Sequence, residues 1–473
     1  MVPADQGGGV MRADLLADAV EGLDEALAAV DAFDRALVVG LLRPHADRTA
    51  GLAALAGAVA GTPLAGRVAS AAEKAASGSA GEDDCVALAA GRTALVGSVH
   101  DALSARVDAA TGRSRAVEEC VPVPSGGPPG NLLAAARSWL AELARCGWRG
   151  IDHDLVAGAA PVVATMLPDP ALRRPATLLD GFAAELAASC PGVNLARVPV
   201  RRWADLWSRA MILTVPGAGG VPATDTATGR LLPLGVDVRE HATAVQAQVH
   251  AVFEPADGGA PRLVRANVSA PKPDTVVGAG LWQLLRPHMA LLGAVGDGRS
   301  MDLTDMPLTA EGDLVWDDAR ARAGGPADPF TTARVALPTA TVSAVAPLER
   351  HPARIAVPVF LEGYDARRDD DGLTFTVAGQ PLAVDTDRIP GAGPLTPEAV
   401  AASGACVGLL RWDAGAFTVQ PLAVETTVRK KRVAVHAGAW AGGTSDKAGL
   451  KAEKAATDAG AVLRERAGRL LRK

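Results

Sequence analysis

The spacing of apolar residues changes its period once along the chain, at the glycine-rich break Pro216-Gly-Ala-Gly-Gly220. Before the break apolar residues recur every three or four positions, as on a helix; after it they alternate, as on a half-buried strand. A chain of this kind has to build two sorts of layer. It reads as a multidomain α+β protein with an Ala-rich helical N-terminal half, a mostly antiparallel β-rich C-terminal half and a basic C-terminal helix.

In the helical half, Leu16, Val20, Leu23, Leu27, Val30, Leu37 and Leu41 follow a heptad-like spacing with one gap at Asp34. That spacing predicts one long amphipathic helix over about 12–42, stopped at Pro44 by the missing donor and the ring of proline. Further helical periods give a bundle over 11–112 behind a disordered N-terminus at 1–10. The stretch from Pro122 to Gly130 mixes Pro, Gly and Ser without any period and makes 113–130 a linker. A second helical block covers 131–214.

In the β half, Thr243 to Phe253 alternates up to Asp257-Gly-Gly259, and the alternation resumes from Leu263 to Ser269, the pattern of a long hairpin. Three more hairpins are expected, 301–307 with 312–316, 354–364 with 373–384, and 406–412 with 416–424, with helices near 277–292 and 397. Strands that come as hairpins rather than as βαβ units argue against a Rossmann-type nucleotide fold. The β-rich α+β domain is placed at 227–440 and the basic helix at 441–473.

The chain carries few motifs with a recognisable chemistry. Pro216-Gly-Ala-Gly-Gly220 lacks the Lys-Ser/Thr end of a phosphate loop, and Gly278-Ala-Gly280 lacks the third glycine of a dinucleotide fingerprint. No Gly-x-Ser-x-Gly elbow occurs, and no two histidines sit four apart around a glutamate. Asp369-Asp-Asp-Gly372 reads as a solvated turn, because the ligand positions of a calcium loop would fall on Arg367 and Ala378. Asp152-His153-Asp154 reads as a helix start capped by Asp152. Cys406 lies in an apolar strand, where a buried inert thiol is expected, and the five scattered cysteines outline no disulfide framework. No cofactor and no metal is expected.

Charge is the informative quantity. Of the 473 residues, 47 are Lys or Arg and 53 Asp or Glu, a net of -6. Residues 429–473 hold twelve bases against four acids, so 12 - 4 gives +8 there and leaves -14 for the rest. The basic stretch opens with Arg429, Lys430, Lys431 and Arg432 and contains Trp440, and these five are the candidate interaction residues. With only 3% aromatic residues, base-stacking platforms and aromatic cages have few rings to draw on.

The residue usage, rich in Arg, Ala and Gly, is that of a GC-rich bacterial genome. No apolar run is long enough to span a membrane, and no secretory signal opens the chain. The leading expectation is a non-catalytic cytoplasmic adaptor, a subunit of a larger bacterial assembly that meets protein partners or itself through helical and charged surfaces. One alternative is a hydrolase-type enzyme with a cleft between the halves, for which Asp152, His153, Asp154, Glu240 and His250 are the residues to inspect. Another is nucleic-acid binding through residues 429–473, with no membrane partner.

Overall fold

Residues 11–43, 46–116, 130–218, 224–241, 243–273, 275–370, 372–428 and 431–470 are described by the structure, a computed structural model. The 1–10 segment, most of the 113–130 linker, Arg429 and Lys430 lie outside the described residues. The α+β division is as the sequence indicates: helices up to Leu213, and two mostly antiparallel sheets beyond Thr224.

The expected single N-terminal helix is two, α1 (Ala13–Ala17) and α2 (Leu23–Val39), because the backbone turns left-handed at Gly22 with φ 76°. The helical body continues through α3 (Ala46–Ala58), α4 (Ala65–Ser77), α5 (Glu82–Thr111), α6 (Gly130–Cys146), α7 (His153–Ala157), α8 (Ala159–Met166), α9 (Arg173–Ser189) and α10 (Val200–Leu213). Alanine on α4, α5 and α6 lets these helices close on one core with Phe33, Trp148, Phe182, Trp203 and Trp207 at its centre. Trp148 meets Trp203 edge to face at 6.0 Å, and Trp207 donates its indole N–H to the Leu140 carbonyl at 2.9 Å.

Asp34, the gap in the apolar spacing, faces inward. It is 1% exposed and takes two hydrogen bonds from Arg92 at 2.5 and 2.8 Å, while Arg92 also reaches Asp205 at 2.7 Å. The stripe is therefore consumed within the chain. Val30, Phe33 and Leu37 enter the helical core, and Val20, Leu23 and Leu27 pack with α5 residues Val99 and Leu103 against Trp412 and Phe417 of the β half.

The β half holds two barrels. The first comprises β1 (Thr224–Glu240), β2 (Ala244–Pro255), β3 (Arg262–Pro271), β4 (Arg299–Thr309), β5 (Asp313–Leu314) and β6 (Ala321–Pro326), the last two both lying along β4. β1 pairs with β4 through its first part and with β2 through its second, β2 pairs with β3, and β3 runs parallel to β5. The ring closes, and α11 (Leu281–Leu284) with α12 (Met289–Gly296) plugs it through Trp282, Leu291 and Leu292.

The second barrel repeats the plan after α13 (Pro329–Val335). Its first strand is split into β7 (Val357–Glu362) and β8 (Asp365–Asp369), followed by β9 (Gly372–Val377), β10 (Gln380–Val384), α14 (Pro397–Ala401), β11 (Ala405–Asp413) and β12 (Ala416–Val428). β7 pairs with β11, β8 with β9, β9 with β10, and β10 runs parallel to β12. Both rings have the Greek-key connectivity of OB-type barrels, with a helix between the third and fourth strands.

Two of the expected hairpins form as read, β2–β3 and β11–β12. The other two are corrected by the barrels. β4 gives most of its length to β1, and residues 357–362 pair with β11 rather than with 373–384, since closing a ring needs partners far apart in sequence. The barrels meet where β1 crosses β11 and β12. A Cβ on Gly235 would stand 2.8 Å from Cβ of Leu422, so the approach requires glycine.

The chain ends with β13 (Lys431–His436) on the edge of β12 and α15 (Lys447–Leu470). Asp446 caps α15 by accepting from the Gly449 amide at 2.9 Å. Ala456 is buried and packs on Gly280 of the first barrel's plug, whereas every residue described from 461 to 469, Gly468 aside, is exposed. Among the described residues no helix is long and apolar enough to cross a membrane.

Candidate functional site

Helical body and first barrel leave a cleft between them. Its inner cavity, about 80 Å³, is lined by His100 and Ser104 of α5, His250 and Arg265 of β2 and β3, Glu311 of the β4–β5 loop, and Arg354. An outer cavity of about 220 Å³ shares His100, Ser104 and Arg115 and adds Asp101, Asp108 and Arg350. The alternation of β2 and β3 explains the inner wall. Val249, Ala251 and Val264 point into the barrel, so His250 and Arg265 must point out of it, toward α5.

The arginines of the cleft are already matched by carboxylates. Arg115 grips Asp108 at 2.7 and 2.9 Å, Arg265 reaches Asp313 at 2.8 Å, and Arg350 reaches Asp101 at 3.3 Å. Glu349 accepts from Arg354 and from Arg174 and Arg209 of the helical body, which ties the two halves together. Burial pushes Arg354 down to about 10, and Arg209, Arg239 and Arg174 add repulsion. The cleft has no strong field of one sign.

His250 is 1% exposed, and its Nε2 has no hydrogen-bond partner among the described residues. Burial drives it down to about 3; Asp237 opposes this, and Arg265, Arg411 and Arg239 reinforce it. The ring is therefore neutral at pH 7. Behind it, Asp237 accepts from Gln420 at 2.8 Å and from Arg239 and Arg411 at 3.0 Å each. Burial alone would raise Asp237, but these partners outweigh it and hold the carboxyl below its usual range.

Across the cleft, His100 Nδ1 lies 3.0 Å from Asp101, and its Nε2 lies 3.5 Å from the Ser104 hydroxyl. Burial lowers His100, with Asp101 opposing. This is a hydroxyl, imidazole and carboxylate in line, although 3.5 Å is long for the first contact. The spacing of His100 and Ser104, four apart on one helix, was the signal available in the sequence.

Of the residues singled out for a cleft, only His250 lines it. Asp152 caps α7 by accepting from the Leu155 amide at 2.8 Å, His153 and Asp154 are exposed beside it, and Glu240 pairs with Lys272 at 3.2 Å. Of the basic candidates, Lys431 and Arg432 lie on β13, with Arg432 reaching Glu425 at 3.1 Å. Trp440 is half-buried against the core of the barrels. Cys406 is wholly buried, and burial pushes its thiol up.

The outward face of β9 and β10, where barrels of this type commonly take oligonucleotides, presents Thr374, Thr376, Pro381 and Ala383. Phe375 and Tyr364 turn inward and stack on each other with centroids 3.9 Å apart. Such a surface offers bases no ring on which to stack. Comparison with protein-family models, curated proteins and solved structures finds no match.

Proposed function

We propose that the chain is a non-catalytic cytoplasmic adaptor, a subunit that holds an acidic protein surface of a larger assembly. The observation that carries this reading is α15. Its first part is anchored on the plug of the first barrel, and the residues described from 461 to 469, Gly468 aside, are exposed over roughly 12 Å at 1.5 Å per residue. Lys451, Lys454, Arg466 and Arg469 are exposed along it. A basic helix on a body of charge -14 is attracted to acidic surfaces, and an acidic protein partner supplies one. Removing residues 429–473 is expected to abolish partner binding. A steeply salt-dependent affinity for oligonucleotide, lost in the same truncation, would instead assign the arm to nucleic acid.

The Ser104, His100 and Asp101 line favours a second reading, ester or amide hydrolysis in the cleft with Ser104 as nucleophile, His100 as base and Asp101 as its orienting group. A fluorophosphonate probe separates the two. The adaptor reading expects labelling no stronger than that of Ser104→Ala, and the hydrolase reading expects labelling that this substitution removes.

A further inference from the structure

The largest unmet hydrogen-bonding demand among the described residues lies away from the cleft, at Arg113. This side chain follows the end of α5 and is 6% exposed, and its Nε, Nη1 and Nη2 are all buried without an acceptor. Arg115, two residues on, shows what satisfaction would look like, since it holds both oxygens of Asp108 and the Ser343 carbonyl at 3.3 Å. That grip leaves Asp108 facing Arg115. A buried guanidinium with five N–H donors and no acceptor costs several kcal/mol.

Arg113 borders a cavity of about 30 Å³ whose other walls are Met11, Thr111, Ala333, Leu337, Pro338, Val359 and Phe360. Helical body, α13 segment and second barrel all contribute. Thr111, the one polar wall, donates its hydroxyl to the Val107 carbonyl at 2.8 Å, so the walls offer a visitor little besides the guanidinium. A water accepting from two of these N–H groups would satisfy donors without compensating the charge. Charge, in contrast, needs only an opposite charge nearby. Burial lowers Arg113 to about 10, Asp108 opposes and Arg115 reinforces the shift, and the group is still cationic at pH 7.

We propose that Arg113 anchors a binding site for a compact monoanion, a halide ion or the carboxylate of a small organic acid, at the junction of the helical body and the second barrel. The cavity is small and has room for a chloride ion or a carboxylate head. A short alkyl group on the carboxylate would rest on Val359, Phe360 and Leu337. Filling the site neutralises the guanidinium and ties three parts of the chain together.

The test uses the full chain in a zwitterionic buffer, with ionic strength held constant by methanesulfonate, titrated with chloride, formate or acetate. Thermal unfolding of the wild type is expected to show a saturable rise in Tm of a few degrees, as for any ligand that binds only the folded state. Arg113→Met, which removes the unpaired charge, is expected to start at least as stable and not to respond, so the gap between the two proteins changes with anion concentration. Line broadening of the chloride-35 resonance by the wild type, reversed by formate, reads occupancy without a variant. A response to chloride alone assigns a halide site, and a stronger response to formate or acetate assigns a carboxylate site. A gap that stays constant for all three anions, with no chloride broadening, overturns the proposal.

Discussion

Asp34 interrupts the apolar spacing of α2, yet the structure buries it, so its removal is the sharpest test of the helical body. Asp34 is 1% and Arg92 2% exposed, and two hydrogen bonds of 2.5 and 2.8 Å join them. Two unit charges about 4 Å apart attract by about 4 kcal/mol at an effective dielectric constant of 20. Deleting one member also leaves the other desolvated. Asp34→Leu and Arg92→Leu are each expected to cost about 3–5 kcal/mol, the usual range for breaking a buried pair. Arg92→Leu should be the worse, because Asp34 has no second partner among the described residues, whereas in Asp34→Leu the guanidinium keeps Asp205 at 2.7 Å. The double variant replaces the pair by apolar groups and should recover at least about 2 kcal/mol relative to the sum of the singles. Urea unfolding at pH 7, followed by fluorescence of Trp148, Trp203 and Trp207 in the same core, reads all four proteins. Strict additivity would refute the reasoning, since it means that the two side chains do not share one interaction.

Further tests concern the barrels. The unfolded imidazole of His250 takes a proton near its ordinary value of 6.5 and the folded one only near 3, so the unfolded state binds more protons in between. Stability is then full above about pH 6.5 and falls by up to about 1.4 kcal/mol per unit as pH drops toward 3. His100 and His436 are shifted the same way, and His250→Gln should remove only its own share of the slope, as measured by urea midpoints from pH 7 to 4. Gly235→Ala puts a Cβ 2.8 Å from Leu422 and is expected to cost about 1–3 kcal/mol by overpacking, with partial recovery in combination with Leu422→Ala. Trp412→Ala, at the contact with α2 and α5, is expected to cost about 3–5 kcal/mol and to speed amide exchange where the halves meet.

Local signals were legible and long-range ones were not. The change of period at Pro216–Gly220 separates helices from strands because side-chain direction is a local property of each. The β2–β3 and β11–β12 hairpins were legible because turn residues fix their pairing. Barrel closure was not. Thr224–Glu240 reads irregularly because its two parts serve two partners, and nothing near residue 357 announces β11 as its neighbour. Asp34 looked like a flaw in an apolar face because its partner is 58 residues away. His250 was legible as a cleft residue, whereas its facing groups, His100 and Ser104, looked like ordinary members of a long helix. Arg113 fell in the presumed linker, since burial by α13 and β7 leaves no trace in the local sequence.

The basic arm of α15 is the centre of the functional account, and charge reversal tests it most directly. The full chain and a Lys451→Glu, Lys454→Glu, Arg466→Glu, Arg469→Glu variant would be recovered from the native host after mild crosslinking and weighed by size exclusion with light scattering. The account predicts a discrete complex above the 48.0 kDa monomer for the wild type, containing an acidic protein in fixed ratio, and the bare monomer for a normally folded variant. The same species from both proteins, or a monomer from both, would contradict it.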